Sequence, residues 1–187
     1  MKPHKILPWA IFLLAIVYYL SYFRYGISLL DEGYNLDPPR RILAGEVPYR
    51  DFYHFYAPLP FYLLAGLFKL FGPSLLLARG CWLFFLALAA HLIFLVSRRL
   101  TSDRLALIPT LLFLVSPGPW HKWFFVLSAM SHLWLFGRLI ESRLAPRWLL
   151  AAGLLTGVIL FTRQDIGVFA FLCYHIILLG GHFIPSW

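Results

Sequence analysis

Residues 29–72 read LLDEGYNLDPPRRILAGEVPYRDFYHFYAPLPFYLLAGLFKLFG, and this stretch decides the architecture. It holds five of the eight acidic residues of the chain (Asp31, Glu32, Asp37, Glu46 and Asp51) together with Arg40, Arg41 and Arg50. The sequence on either side is apolar and of membrane-spanning character. A chain that gathers its charges into one loop between two spans places its chemistry there.

Working outward, the composition fits that reading. Of 187 residues, 61% are hydrophobic and 13% charged, against about 25% charged in a soluble domain. The expectation is an all-α integral membrane protein forming a single polytopic domain over residues 1–187. The net charge of +8 lies in short loops between apolar runs, which suits membrane topology and anionic lipid rather than a nucleic-acid groove. Cys81 and Cys173 both fall in apolar runs, with neither metal-ligand spacing nor a disulfide framework.

Residues 7–23 read as a first span whose aromatic end (Tyr18, Tyr19, Tyr22, Phe23) marks the outer interface. The acidic loop, about 24–74, follows on the outer side. Within it Asp37 or Pro38 is expected to open a short helix that ends just before Gly45. Val47 to Asp51 reads as extended chain, because Pro48 biases Val47 away from helix. Residues 61–71 cover roughly 18 Å as a helix, short of a hydrocarbon core of about 30 Å, so this piece lies in the interface or re-enters. Further spans are expected at 75–96, 105–115 and 124–140. Residues 148–183 read as two more, joined by a polar hairpin at Thr162, Arg163, Gln164 and Asp165. Six spans put Lys2, Lys5 and the arginine-rich loops near Arg98 and Arg143 on the cytoplasmic side. A seventh, at 61–71, would turn both arginine loops outward.

The candidate chemistry lies in and near the first outer loop. A carboxylate of Asp31 or Glu32 at the membrane surface suits a general base, its pKa raised by partial burial. The alternative is a solvated acidic pair or a helix cap. Arg40, Arg41 and Arg50 suit a phosphate group, since guanidinium forks match phosphate oxygens. The alternative is pairing with Glu46 and Asp51. Arg163 and Asp165 sit at the hairpin tip, as functional charges or as an ordinary polar turn. His54 and His121 lie in outer loops, open to ligand or acid–base roles. His91, His132 and His175 read as packing residues that make interhelical hydrogen bonds.

The order Asp31-Glu32-Gly33-Tyr34, then Arg41 to Phe52, then Pro58-Leu59-Pro60-Phe61-Tyr62, and finally Leu70-Phe71-Gly72 with Arg79 resembles the N-terminal part of GT-C membrane glycosyltransferases. It is similar to bacterial relatives of the dolichyl-phosphate-mannose protein mannosyltransferases and to the lipid A aminoarabinose transferase. The hairpin Thr162 to Gly167 fits as well. The resemblance implies inverting transfer of a hexose or pentose from a polyprenyl-phosphate carrier to a lipid, glycan or protein acceptor at the outer face of a bacterial inner membrane. It implies catalytic roles for Asp31 and Glu32, and donor-phosphate contacts from Arg163, Arg50 and Arg79. Arg40, Arg41, Asp165 and His54 complete the candidate set. Some members bind a divalent metal, for which the sequence offers no ligand set. Family members usually run to several hundred residues, so the chain looks like a front half: a fragment, a truncated gene product, or a chain that works only with a partner. The alternative function is a non-catalytic membrane protein of the same architecture. Besides its length, one feature stands apart from the family pattern: the loop 117–123 carries His121 and Lys122 where relatives often have a second acid. A third class, an ion-coupled transporter, would want acidic residues in mid-membrane, and the apolar runs contain none.

Overall fold

The structure is a computed structural model that describes residues 3–26 and 28–181. Lys2, the side chain of Lys5 and the tail 182–187, which enter the expected orientation and ending, lie outside the described residues. Among the described residues the fold is all-helical, with α1 Pro3–Leu20, α2 Leu29–Leu43, α3 Leu59–Phe71, α4 Leu75–Leu100, α5 Asp103–Val115, α6 Trp123–Glu141, α7 Pro146–Leu160 and α8 Gln164–Gly181. A single 3₁₀ turn, Trp120–Lys122, leads into α6.

Helix α4 is the axis of the assembly. Its buried side runs from Ala78 to Phe94 and mixes large side chains with Ala78, Ala87, Ala89 and Ala90. Small residues let neighbouring backbones approach closely where no water drives association. Helices α1, α5 and α6 pack around it. His91 Nδ1 lies 2.8 Å from the Pro8 carbonyl, so that nitrogen carries the proton, and the start of α1 sits beside the second half of α4. Arg79 donates to the carbonyls of Phe23 and Gly26, which sets the end of α1 beside the start of α4. The two helices are therefore antiparallel. On α6, His132 Nδ1 meets the Tyr174 hydroxyl of α8 at 3.0 Å. These two histidines make the expected interhelical bonds. His175 does not: its Nδ1 bonds the Phe171 carbonyl of its own helix at 2.8 Å, on an exposed face. Its ring lies against Phe171 of the same helix, with centroids 4.0 Å apart, and the carbonyl one turn back is the acceptor within reach.

Two buried threonines inside apolar helices are satisfied locally. Thr110 and Thr156 each donate to the carbonyl four residues earlier, at 2.8 Å. The outward faces are apolar instead: Leu13, Val17, Leu112, Leu154 and Phe169 are all exposed. Such a surface suits lipid. By length and composition, two stretches among the described residues are able to cross a membrane, Leu75–Leu100 and Trp120–Glu141. Ile6–Leu20, Leu59–Phe71, Pro146–Leu160 and Gln164–Leu179 are apolar but shorter. The 13 residues of α5 reach about 20 Å, less than a full hydrocarbon core.

In the first outer loop two local expectations fail. Its helix starts at Leu29, capped by the Ser28 side chain, and carries Pro38 and Pro39 in its interior. The cap and the anchoring of Glu32 on Arg79 fix the first turns before the prolines arrive. The end is as expected, with Gly45 at φ 91° just past it. Residues 47–52 form a closed turn rather than extended chain. The Asp51 carboxylate accepts from the Val47 N–H at 2.7 Å, and Tyr49 takes a left-handed backbone at φ 66°. The Tyr49 hydroxyl then donates to the Tyr56 carbonyl. Helix α3 buries Phe61, Leu64, Ala65 and Phe68, the single face expected of a short helix lying against others.

Candidate active site

Asp31 and Glu32 are adjacent, yet the helix sends them to different surroundings. Glu32 turns inward and is buried. Arg79 of α4 meets it with both ends of the guanidinium, Nε to Oε1 at 2.6 Å and Nη2 to Oε2 at 2.8 Å. The remaining arginine protons go to the carbonyls of Phe23 (2.7 Å), Gly26 (2.5 Å) and Tyr25 (3.5 Å). All five N–H donors are thereby committed within the protein. The Ser28 N–H adds a further bond to Glu32 Oε2 at 3.0 Å. Burial pushes the Glu32 carboxyl up, but the bonds from Arg79 and Ser28 outweigh it and hold the group below its ordinary value.

Asp31 turns outward, with its side chain 56% exposed. The expected partial burial therefore falls on Glu32, where charge pairing reverses its effect. Ser28 Oγ lies 3.3 Å from Asp31 Oδ2 and accepts from the Asp31 N–H at 3.3 Å. The other carboxylate oxygen faces His121 Nε2 at 3.8 Å. Asp31, Glu32, Arg79 and His121 line one cavity of about 310 Å³, walled by Trp82 and by the turn at Gly118, Pro119 and Trp120.

The other candidates are not gathered there. Arg163 pairs with Asp165 at 2.6 and 2.8 Å and lies over the Phe125 ring, 3.8 Å from its centre. This hairpin is tied to the first loop by one bond, from the Leu59 N–H to the Phe161 carbonyl at 2.9 Å. Arg50 pairs with Asp51, and Arg41 pairs with Glu46 while covering the Phe52 ring. Arg40 borders a separate depression with Leu36, Phe68 and Ser74. His54 is buried between the Tyr34 and Phe61 rings, and its Nδ1 accepts from the Tyr56 N–H at 3.2 Å. Burial lowers its pKa, opposed by the Tyr34 carbonyl, which Pro38 leaves without a helical donor, and by Asp37. Nε2 makes no well-formed hydrogen bond, so that carbonyl acts on the ring as a dipole. The residue that sequence reasoning left outside its site set is His121. Its presence in the second outer loop was legible, but its approach to Asp31 depends on how two loops fold together.

Among the described residues no three His, Cys, Asp or Glu side chains converge as metal ligands. The donor set therefore does not fit a resident divalent ion.

Over residues 56–185 the chain matches the model of the dolichyl-phosphate-mannose-protein mannosyltransferases. It belongs to that family. The matched region runs from just before α3 through α8 and includes Arg79, His121, Arg163 and Asp165, while Asp31, Glu32, Arg40, Arg41, Arg50 and His54 precede it. Membership makes this a chain of the membrane glycosyltransferase type, in keeping with its two long apolar helices. No curated protein and no solved structure matches the chain.

Proposed function

We propose that the chain carries the catalytic loop of a glycosyltransferase that moves a sugar, with inversion, from a polyprenyl-phosphate carrier to an acceptor at the extracytoplasmic face. The observation that carries this reading is the division of labour between two neighbouring acids. Glu32 is occupied by a buried arginine, while Asp31 is left solvent-facing at a cavity. A carboxylate held on one oxygen by Ser28 and open on the other can take the proton of an attacking hydroxyl. As the hydroxyl oxygen of the acceptor bonds to the sugar carbon, the bond to the phosphate breaks and its electrons leave with the polyprenyl phosphate. Glu32 supports the base by fixing α2 on α4. In this reading Arg163 and Arg50 exchange their present carboxylate partners for donor phosphate, and Arg79 acts as a strut. Six spans, with the N-terminus in the cytoplasm, place the loop outside.

The test uses the chain in lipid nanodiscs with a polyprenyl-phosphate mannose labelled in the sugar, with water as the attacking hydroxyl. Asp31→Asn is expected to abolish release of polyprenyl phosphate while still binding the donor, and Arg163→Ala to weaken binding. The pairing of Arg163, Arg50 and Arg41 with adjacent acids favours a second reading, a non-catalytic scaffold. Full release by Asp31→Asn would overturn Asp31 as the base, and no saturable binding by the folded wild type would establish the scaffold instead.

A further inference from the structure

We infer that His121 is the positioning partner of Asp31 and takes over the proton that Asp31 removes from the acceptor. This rests on the reading of Asp31 as the base and adds a second residue to it.

The argument starts from where the histidine is held. His121 is 5% exposed, on a 3₁₀ turn whose neighbour Trp120 lies under the Arg79 guanidinium at 5.5 Å and beside the Tyr22 ring at 5.6 Å. Its own ring meets Trp82 edge-on at 6.2 Å. One clamp, Arg79, thus fixes both α2, which bears Asp31, and the turn that bears His121. Nε2 stands 3.8 Å from Asp31 Oδ1, just beyond a direct hydrogen bond. Asp31 is the exposed and movable member, so a small rotation of its carboxylate closes the gap.

The surroundings select a proton acceptor. The groups facing the ring are Asp31 and Glu32 from α2, Arg79 from α4 and Lys122 from its own turn, with Tyr25 lining the same cavity. Glu32 and Arg79 neutralise one another, which leaves Asp31 as the unpaired acid. A lone carboxylate that has taken a proton must lose it before the next turnover. The second outer loop supplies no other acid, since residues 117–123 contain none. The proton balance is complete: hydroxyl to Asp31 in the transfer step, Asp31 to His121 Nε2 after it, and His121 to water from the open cavity.

The experiment has two arms. In nanodiscs with polyprenyl-phosphate mannose, His121→Gln is expected to lower kcat at least about tenfold with little change in donor KM. The acid limb of the pH profile that His121 sets should disappear in this variant. Imidazole should restore part of the rate to His121→Ala. Wild-type kcat with an unchanged acid limb in His121→Gln overturns the proposal. The second arm needs no turnover: the His121 ring is titrated by NMR in wild type and in Asp31→Asn. Loss of the facing carboxylate should move its titration to lower pH, and an unmoved titration overturns the pairing. Full release by Asp31→Asn, or no release by wild type, would instead strike the parent reading, and the ring titration still decides the pair by itself.

Discussion

Arg79 illustrates how much one side chain can hold. Its five donors join α4 to the end of α1, to the connecting segment and to the first turn of α2. Removing one partner of a buried pair leaves the other charge uncompensated, which costs about 3–5 kcal/mol. Arg79→Met should therefore lower thermal stability in detergent by that order. Arg79→Lys should rescue little, because an ammonium has three donors in a different geometry. The double variant Glu32→Leu with Arg79→Met should recover part of the loss, though the three carbonyls stay without their donor. Acid acts on the same pair. The folded Glu32 carboxyl is held below its ordinary value of 4.5. Its contribution is thus complete above that pH and is lost as pH falls through the lower folded value. Glu32→Gln should flatten this acid limb in a melting series from pH 3 to 6 (an order-of-magnitude window around the carboxylate range).

At the scale of elements, the α7–α8 hairpin makes the sharpest prediction. A Cβ on Gly167 would fall 2.8 Å from the Leu160 side chain and 2.9 Å from the Leu160 backbone nitrogen. The side chain can turn away but the backbone cannot. Gly167→Ala should cost about 1–3 kcal/mol in a denaturation series, and Leu160→Ala in the same chain should recover only a fraction. The hairpin itself was readable in the sequence, because Thr162 to Asp165 interrupts a run too long for one helix. Helix α3 was equally legible from its length and its flanking prolines. The start of α2 was not. Two prolines point to a helix beginning at Asp37 or Pro38, whereas the Ser28 cap and the contact between Glu32 and Arg79, 47 residues apart, make the helix begin earlier and run through them. The turn at 47–52 was hidden for a similar reason: a side chain, Asp51, closes it. The candidate site divides the same way. Asp31 and Glu32 stand out as residue types, but their opposite orientations and the approach of His121 belong to tertiary structure.

For the whole molecule, the decisive quantity is which end of the bundle faces which compartment. The first loop, the 3₁₀ turn and the tip of the α7–α8 hairpin share one end. The close of α4 and the close of α6 share the other, joined by Arg99 donating to the Trp134 carbonyl at 2.8 Å and lying 3.6 Å from Glu141. The proposed orientation puts the arginine-rich end in the cytoplasm. Single cysteines at the exposed positions Tyr53 and Leu100, in a chain with Cys81 and Cys173 replaced by Ala, give a direct check. An impermeant thiol reagent applied to intact cells should label position 53 and spare position 100. The reverse pattern would invert the bundle and move the proposed chemistry to the other compartment.

The separation of Glu32 from Arg79 also sets a schedule for biosynthesis. The ribosome adds roughly 5–20 residues per second, so the 47 residues between them take about 2 to 9 seconds to make. During that interval α2 exists without the strut that will orient its two acids, and α1 ends in carbonyls awaiting their donor. The site is thus born unassembled and closes only when α4 enters the membrane. A nascent chain stalled before Arg79 would carry Asp31 and Glu32 in its sequence and still have no place for them to act together.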